Sequence, residues 1–129
     1  MDPETPATLA EAERHLGYKL PDDYKELMLT HGPMKEVFPN EYVELYDIAT
    51  VLEVKALRAS FEPSAGLVVI GTDGSVELFV YDMRRDAPPI VAVNIVSPGW
   101  PAAFFQASNF NDFWHQVTTE GLQFVARYE

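Results

Sequence analysis

The chain has 129 residues, of which 47% are hydrophobic and 22% are charged, and this length and composition favour one globular domain, over residues 1–129, with its own core. Twenty acidic residues against nine lysines and arginines give a formal net charge of -11, which disfavours nucleic acids and anionic membranes as partners and favours a basic partner. The absence of cysteine excludes disulfides, thiolate metal sites and a cysteine nucleophile.

A short amphipathic helix is predicted near the N-terminus. Thr5 followed by Pro6, or Thr8 with Glu11, can begin it. Gly17 is placed to end it, because glycine readily adopts the left-handed conformation found at helix C-termini.

A second helix is expected after Pro21. Asp22 and Asp23 then fall in its first turn, where the positive end of the helix dipole favours acidic side chains. Gly32 and Pro33 are expected to end this helix.

Strand and helix signals alternate in the next segment. Residues 42–48 are rich in strand formers and predict a half-exposed strand. Thr50 and Glu53 have the spacing of a capping box, which predicts a third helix that runs to about Ser60.

The second half of the chain predicts an antiparallel meander. Its three strands are residues 67–70, 76–81 and 90–96, and the first two are joined by a turn at residues 71–74, where Asp-Gly supplies a positive-φ residue.

A final helix is expected after Asn109, whose side chain can cap it. Gly121 can close this helix, and a short last strand can follow over residues 122–127. Together these elements predict a single α+β domain, a largely antiparallel sheet with helices packed on one face, which leaves an edge or an open face for a partner.

No targeting or membrane segment is predicted. The acidic N-terminus lacks the positive charge and the apolar run of a secretory signal. The longest apolar stretch, residues 67–70, is far too short to cross a bilayer. We therefore expect a cytoplasmic protein that makes no membrane contact.

Catalytic and metal-binding patterns are weak in this sequence. His15, His31 and His115 lack the spacing of metal ligands. Asp73 and Asp82 suit a turn and a strand end better than an acid–base pair. No serine lies in a GxSxG motif. We expect no enzymatic activity, no cofactor and no metal.

Three stretches carry a resemblance to a known family. Residues 12–24, AERHLGYKLPDDY, look like an opening signature of an acidic residue, Leu-Gly, Leu-Pro and Tyr. Residues 70–82 contain a Gly-Thr-Asp-Gly turn and a strand that ends in Asp, and residues 108–113 have the form of a helix start with two phenylalanines. In this order they resemble the SUKH superfamily, which includes the Smi/Knr cell-wall-assembly regulators of yeast. The Asn-Gly-Gly turn of that family is replaced here by residues 30–33, THGP.

The resemblance implies a Smi/Knr-like fold and a protein-binding function. Bacterial members are largely immunity proteins, which bind the toxic domain of a secreted polymorphic toxin, often a nuclease. The net charge of -11 fits this implication, because nuclease domains present basic surfaces. The alternative is a non-catalytic scaffolding or regulatory interaction domain of the Smi/Knr type. The oligomeric state stays open.

Candidate partner-binding residues come from two features. Every charge between Lys35 and Lys55 is negative, which predicts an acidic face, although an ordinary solvated surface is an equal alternative. Trp100 lies in a loop, where it can anchor a partner or fold over the sheet. The candidates are Glu36, Glu41, Glu44, Asp47, Glu53 and Trp100.

Overall fold

Over residues 3–59, 66–96 and 99–128, which a computed structural model describes, the chain forms four α-helices, one short 3-10 helix and six β-strands. The helices are α1 (Pro6–Leu16), α2 (Asp22–Thr30), α3 (Ile48–Ala59) and α4 (Phe110–Thr119), with the 3-10 helix η1 at Trp100–Ala102. The strands are β1 (Met34–Phe38), β2 (Glu41–Leu45), β3 (Leu67–Thr72), β4 (Glu77–Asp82), β5 (Ile90–Asn94) and β6 (Phe104–Ala107).

The six strands form one sheet in chain order, and every neighbouring pair is antiparallel. The predicted meander of β3, β4 and β5 is therefore confirmed. The turn between β3 and β4 begins later than predicted, since Gly71 and Thr72 belong to β3. Gly74 supplies the positive φ, at 79°, which is the conformation that this turn requires.

All four helices pack against the same face of the sheet. They bury residues such as Leu16, Tyr24, Val51 and Phe113 in one cluster with the inward side chains of the strands, such as Phe79. The α+β architecture with helices on one face is thus confirmed.

The opposite face of the sheet is not open at its centre. Val80, Val91 and Val93 have no exposed surface and form a second cluster with Ala103 and Tyr128. Of the two predicted alternatives, an edge or an open face, the open face is not found here, because η1 after β5 and the C-terminal segment after α4 cover these strands. Of the sheet's two edges, β1 is the one with three consecutive exposed residues.

Three predicted helix starts are confirmed, and one is wrong. α2 begins directly after Pro21, with Asp22 and Asp23 in its first turn. Thr5 caps α1 by accepting a 3.2 Å hydrogen bond from the Thr8 amide, and Asn109 caps α4. The predicted start of α3 at Thr50 is wrong. The helix begins at Ile48, and the Asp47 carboxylate accepts a 2.8 Å hydrogen bond from the Thr50 amide. Aspartate caps helices better than threonine does, so the earlier residue prevails.

The edges of the sheet differ most from the prediction. β1 and β6 were not predicted, because β1 lacks apolar alternation and β6 has only four residues. The predicted strand at residues 42–48 ends at Leu45. The last predicted strand reduces to one isolated bridge between Phe104 and Arg127. The predicted end of α3 at Ser60 lies outside the described residues.

Candidate partner-binding surface

Glu36 and Glu44 lie on neighbouring strands but on opposite faces of the sheet. Glu36 is paired in register with Val43, which points into the core beneath the helices. Side chains alternate along a strand, so Glu44 points to the other face. There its carboxylate is 3.9 Å from the Lys35 ammonium. The structure therefore does not bring these two acidic residues onto one surface.

The remaining acidic candidates occupy three further positions. Glu41 accepts a 3.0 Å hydrogen bond from the Leu122 amide, so its carboxylate holds the segment after α4. Asp47 is the cap of α3, and Glu53 is exposed on that helix. The five carboxylates predicted as one acidic face are thus distributed over both faces of the sheet and one helix.

Trp100 lies on the second face of the sheet, where it is half-buried. The Arg84 guanidinium stands 4.2 Å from the centre of its ring, and the Tyr128 ring is 6.0 Å away. Folding over the sheet, one of the two alternatives for this residue, is the arrangement observed. A role for Trp100 as a partner anchor stays a prediction.

A buried ion-pair cluster lies beside Trp100. The Asp82 carboxylate has no exposed surface and accepts hydrogen bonds from the Arg84 side chain at 2.8 and 2.9 Å. Arg85 donates another at 3.3 Å, and the Tyr128 hydroxyl and the Arg84 amide also donate to this carboxylate. Burial alone raises the pKa of Asp82, but the hydrogen bonds from Arg84 and Tyr128 outweigh it and lower this pKa to about 2.

Asp73 and Asp82 have separate structural roles. The Asp73 carboxylate accepts hydrogen bonds from the amides of Ser75 and Glu77, at 2.9 and 3.2 Å, and so orders the turn before β4. Asp82 lies at the other end of β4. They are therefore not arranged as an acid–base pair. Within the described ranges, no group of three or more histidine or acidic side chains is placed to hold a metal ion.

The helix layer contains an acidic cleft of about 420 Å³ between α1 and α3, here called the α1–α3 cleft. Its acidic members are Glu4, Glu11 and Asp47. None of its described lining residues is a lysine or an arginine. The full lining is Glu4, Ala7, Thr8, Glu11, Asp47, Ile48, Ala49 and Leu52.

Hydrogen bonds hold the carboxylates of this cleft in place. Glu4 accepts from the Ile48 amide at 2.9 Å and from the Thr8 hydroxyl at 3.0 Å. The hydrogen bond from the Ile48 amide places the Glu4 carboxylate at the N-terminal end of α3, which Asp47 caps. The Glu11 carboxylate is held on its own helix by Arg14, whose hydrogen bond contributes most to lowering the pKa of Glu11.

A second cleft of about 450 Å³, here called the α1–α2 cleft, lies on the other side of α1. It contains Glu13, Asp22 and Glu26, but also Lys25. The Lys25 ammonium is 3.2 Å from the Glu13 carboxylate and 3.9 Å from that of Asp22. The full lining is Pro6, Leu9, Ala10, Glu13, Asp22, Lys25, Glu26, Leu29 and Thr30.

The sequence contained a signal for this surface. Counted from Glu4, the residues Ala7, Thr8 and Glu11 follow at intervals of three, four and seven positions, the spacing of side chains on one side of a helix. That spacing predicts an acidic stripe along α1. Its juxtaposition with Asp47, 36 to 43 positions further along the chain, depends on the packing of α1 against α3.

Comparison with known protein families decides the identity of the fold. A family model described as SUKH_6, SMI1-KNR4 cell-wall, matches residues 6–114. The chain belongs to the SUKH family. The match begins at the first residue of α1 and ends within α4, so it takes in the whole sheet. A comparison with curated proteins found no match.

The resemblance to the SUKH superfamily, which three sequence motifs indicated, is therefore confirmed. The family match supports protein–protein interaction as its mode of action. None of the described helices is both long enough and apolar enough to cross a membrane.

Proposed function

We propose that this SUKH protein is an immunity protein, which binds and neutralises a polymorphic toxin domain encoded beside it, a basic nuclease. The observation that carries the proposal is the accumulation of carboxylates on the helix layer, on both sides of α1. These carboxylates belong to Glu4, Glu11, Glu13, Asp22, Glu26 and Asp47.

Electrostatic complementarity explains how such a surface selects its partner. A nuclease domain presents lysine and arginine to a phosphate backbone, and an acidic surface competes for the same side chains. The chain's net charge of -11 also raises the rate of encounter with a cationic partner. Occlusion by binding is enough to neutralise the toxin, so the mechanism requires no catalytic residue or cofactor. It operates in the cytoplasm, where the nuclease would reach nucleic acid.

The salt dependence of association tests this proposal. The toxin domain encoded by the neighbouring gene is purified, and its association rate with this chain is measured between about 50 mM and about 500 mM salt. We expect the rate to fall about tenfold or more, because salt screens the attraction between the two surfaces. Failure of that domain to bind, or a rate independent of salt, would contradict the proposal.

A pull-down from the producing organism distinguishes the alternative function. An immunity protein should recover one toxin-like partner. Recovery of several unrelated proteins would instead indicate a scaffolding or regulatory domain of the Smi/Knr type.

A further inference from the structure

The two carboxylates at one end of the α1–α3 cleft have unused capacity to bind a cation. Each carboxylate can accept about four hydrogen bonds. Glu4 accepts two, from Ile48 and Thr8, and Asp47 accepts one, from Thr50. Within the described part of the chain, neither carboxylate forms an ion pair. Both are already fixed in position, so little conformational entropy is lost when a cationic side chain binds.

The floor of the same cleft is apolar. Ile48 is buried beneath it, while Ala7 and Ala49 are exposed and Leu52 is half-buried. Small alanine side chains leave room for a large apolar side chain from a partner to pack on Leu52. The cleft therefore offers an apolar contact next to an acidic one.

The groove continues along α3, where its lining changes from acidic to basic side chains. A smaller cleft of about 320 Å³ shares Leu52 and is lined also by His15, Lys55 and Ala56. Ala49 and Ala56 are two helical turns apart, about 10 Å. A bound segment would thus meet acidic groups at one end and basic groups at the other, which fixes its direction.

Two other clefts in the described part of the helix layer lack this arrangement. In the α1–α2 cleft, Lys25 already pairs with Glu13 and Asp22. The cleft between the starts of α2 and α4 contains Lys19 as well as Lys25. A cationic partner residue would have to displace or avoid these lysines.

We infer that the α1–α3 cleft is the docking site for a basic segment of the partner protein. A lysine or arginine of that segment binds Glu4 and Asp47, and an adjacent large apolar side chain packs on Leu52. The inference deepens the proposed function and rests on it for the identity of the partner.

Paired charge variants test the acidic end of the cleft. The double variant Glu4→Gln and Asp47→Asn removes two charges but keeps oxygen acceptors for the amides of Ile48 and Thr50, and asparagine caps helices as well as aspartate does. We expect the dissociation constant for the toxin domain to rise about tenfold or more. The control, Asp86→Asn with Glu120→Gln, removes two exposed charges that lie outside both clefts and should change the dissociation constant less than about threefold. Equal losses in the two double variants would overturn the inference and leave the proposed function standing.

Two exposed alanines test the apolar floor in the same assay. Ala49→Arg places a long cationic side chain in the α1–α3 cleft, and Ala10→Arg places the same side chain in the α1–α2 cleft. We expect Ala49→Arg to weaken toxin binding at least as much as the double charge variant, and Ala10→Arg to have little effect. The opposite order would overturn the inference. Melting temperatures of both variants verify that the fold is intact.

A pair of synthetic peptides tests the cleft without the toxin. Both are helical with identical leucine positions, and their polar positions carry lysine in one and glutamate in the other. In amide NMR spectra of the full chain, we expect the lysine peptide to shift the signals of Ala7, Ala49 and Leu52 more than those of Ala10 and Leu29. The glutamate peptide should shift neither group. Larger shifts at Ala10 and Leu29, or none at the α1–α3 cleft, would overturn the inference.

The peptide experiment and the charge variants together separate the docking site from the proposed function. If the wild-type chain binds no toxin domain but the lysine peptide occupies the cleft, the proposed function fails and the docking site stands. If the toxin binds with full affinity to the Glu4→Gln, Asp47→Asn variant, the docking site fails and the proposed function stands.

Discussion

Asp82 shows how the fold retains a charge that has no contact with solvent. Its carboxylate is stabilised by Arg84 and Arg85, and the Tyr128 hydroxyl completes the cluster. Arg84 also stacks on Trp100. The cluster therefore links the end of β4 to η1 and to the C-terminal segment, which closes the second face of the sheet.

The stability contributed by Asp82 should depend on pH. Its pKa in the folded chain, about 2, lies below the ordinary 3.8. The ionised carboxylate therefore stabilises the fold by about 2 kcal/mol above pH 4, and this contribution is lost as the pH falls from about 4 to about 2. We expect Asp82→Asn to lower the free energy of urea-induced unfolding by about 2 kcal/mol at pH 7. Between about pH 4 and about pH 2, the variant should therefore lose about 2 kcal/mol less stability than the wild type.

A matched variant controls this measurement. Asp86 is exposed in the loop that follows β4, so Asp86→Asn should leave the stability within about 0.5 kcal/mol of the wild type. If both variants were equally stable at pH 7, the buried cluster would not have the energetic role derived from its hydrogen bonds.

Single residues also show why the candidate surface was predicted only in part. Among the acidic residues between Lys35 and Lys55, Asp47 lines the α1–α3 cleft. The partners of Asp47 there, Glu4 and Glu11, come from a distant part of the sequence. Proximity in the sequence misleads for charged residues here, because Glu36 on β1 and Glu44 on β2 point to opposite faces of the sheet.

Among the elements, the pairing of β2 with β3 requires a glycine at position 71, where there is no room for a side chain. A Cβ atom at Gly71 would lie 2.2 Å from the Glu44 carbonyl oxygen and 3.0 Å from the Phe79 ring. The two strands pair Glu44 with Thr72 and Leu45 with Gly71, and the Tyr46 amide beyond them donates to the Ile70 carbonyl. Any side chain at this glycine must therefore separate β2 from β3.

The substitution Gly71→Ala should accordingly destabilise the fold. We expect a loss of about 2 to 4 kcal/mol in the free energy of unfolding, because the clash is with backbone. Gly17→Ala is the control. Gly17 has a φ of 79° but no atom within 4 Å of the added Cβ, so only conformational strain of about 1 kcal/mol is expected. Equal losses in thermal unfolding would contradict the register of β2 and β3.

Elements with strong local signals were predicted from the sequence, and the edges of the sheet were not. The caps at Thr5 and Asn109 and the turn at Gly74 are local interactions, which the sequence expresses directly. β1 and β6 form because a neighbouring strand is present, so their own residues carry little periodic signal. The start of α3 was misplaced because two capping residues, Asp47 and Thr50, compete within four positions.

At the scale of the whole molecule, the two faces of the sheet are covered differently. The helix layer presents carboxylates around α1, whereas the second face is covered around Val80 and Val91 by Ala103 and Tyr128. The net charge of -11 predicts a basic partner, but only the folded chain shows where carboxylates meet an apolar floor. Membership of the SUKH family was predictable because its motifs follow one another in order along the chain.

The most direct measurement is a titration of toxin activity with this chain. The toxin domain encoded by the neighbouring gene is assayed for nuclease activity while increasing amounts of the purified protein are added. We expect nuclease activity to disappear as the two proteins reach equal concentrations. It should return at high salt, because salt screens the attraction between the acidic surface of this chain and the basic surface of the toxin. Full nuclease activity in the presence of excess protein would contradict neutralisation.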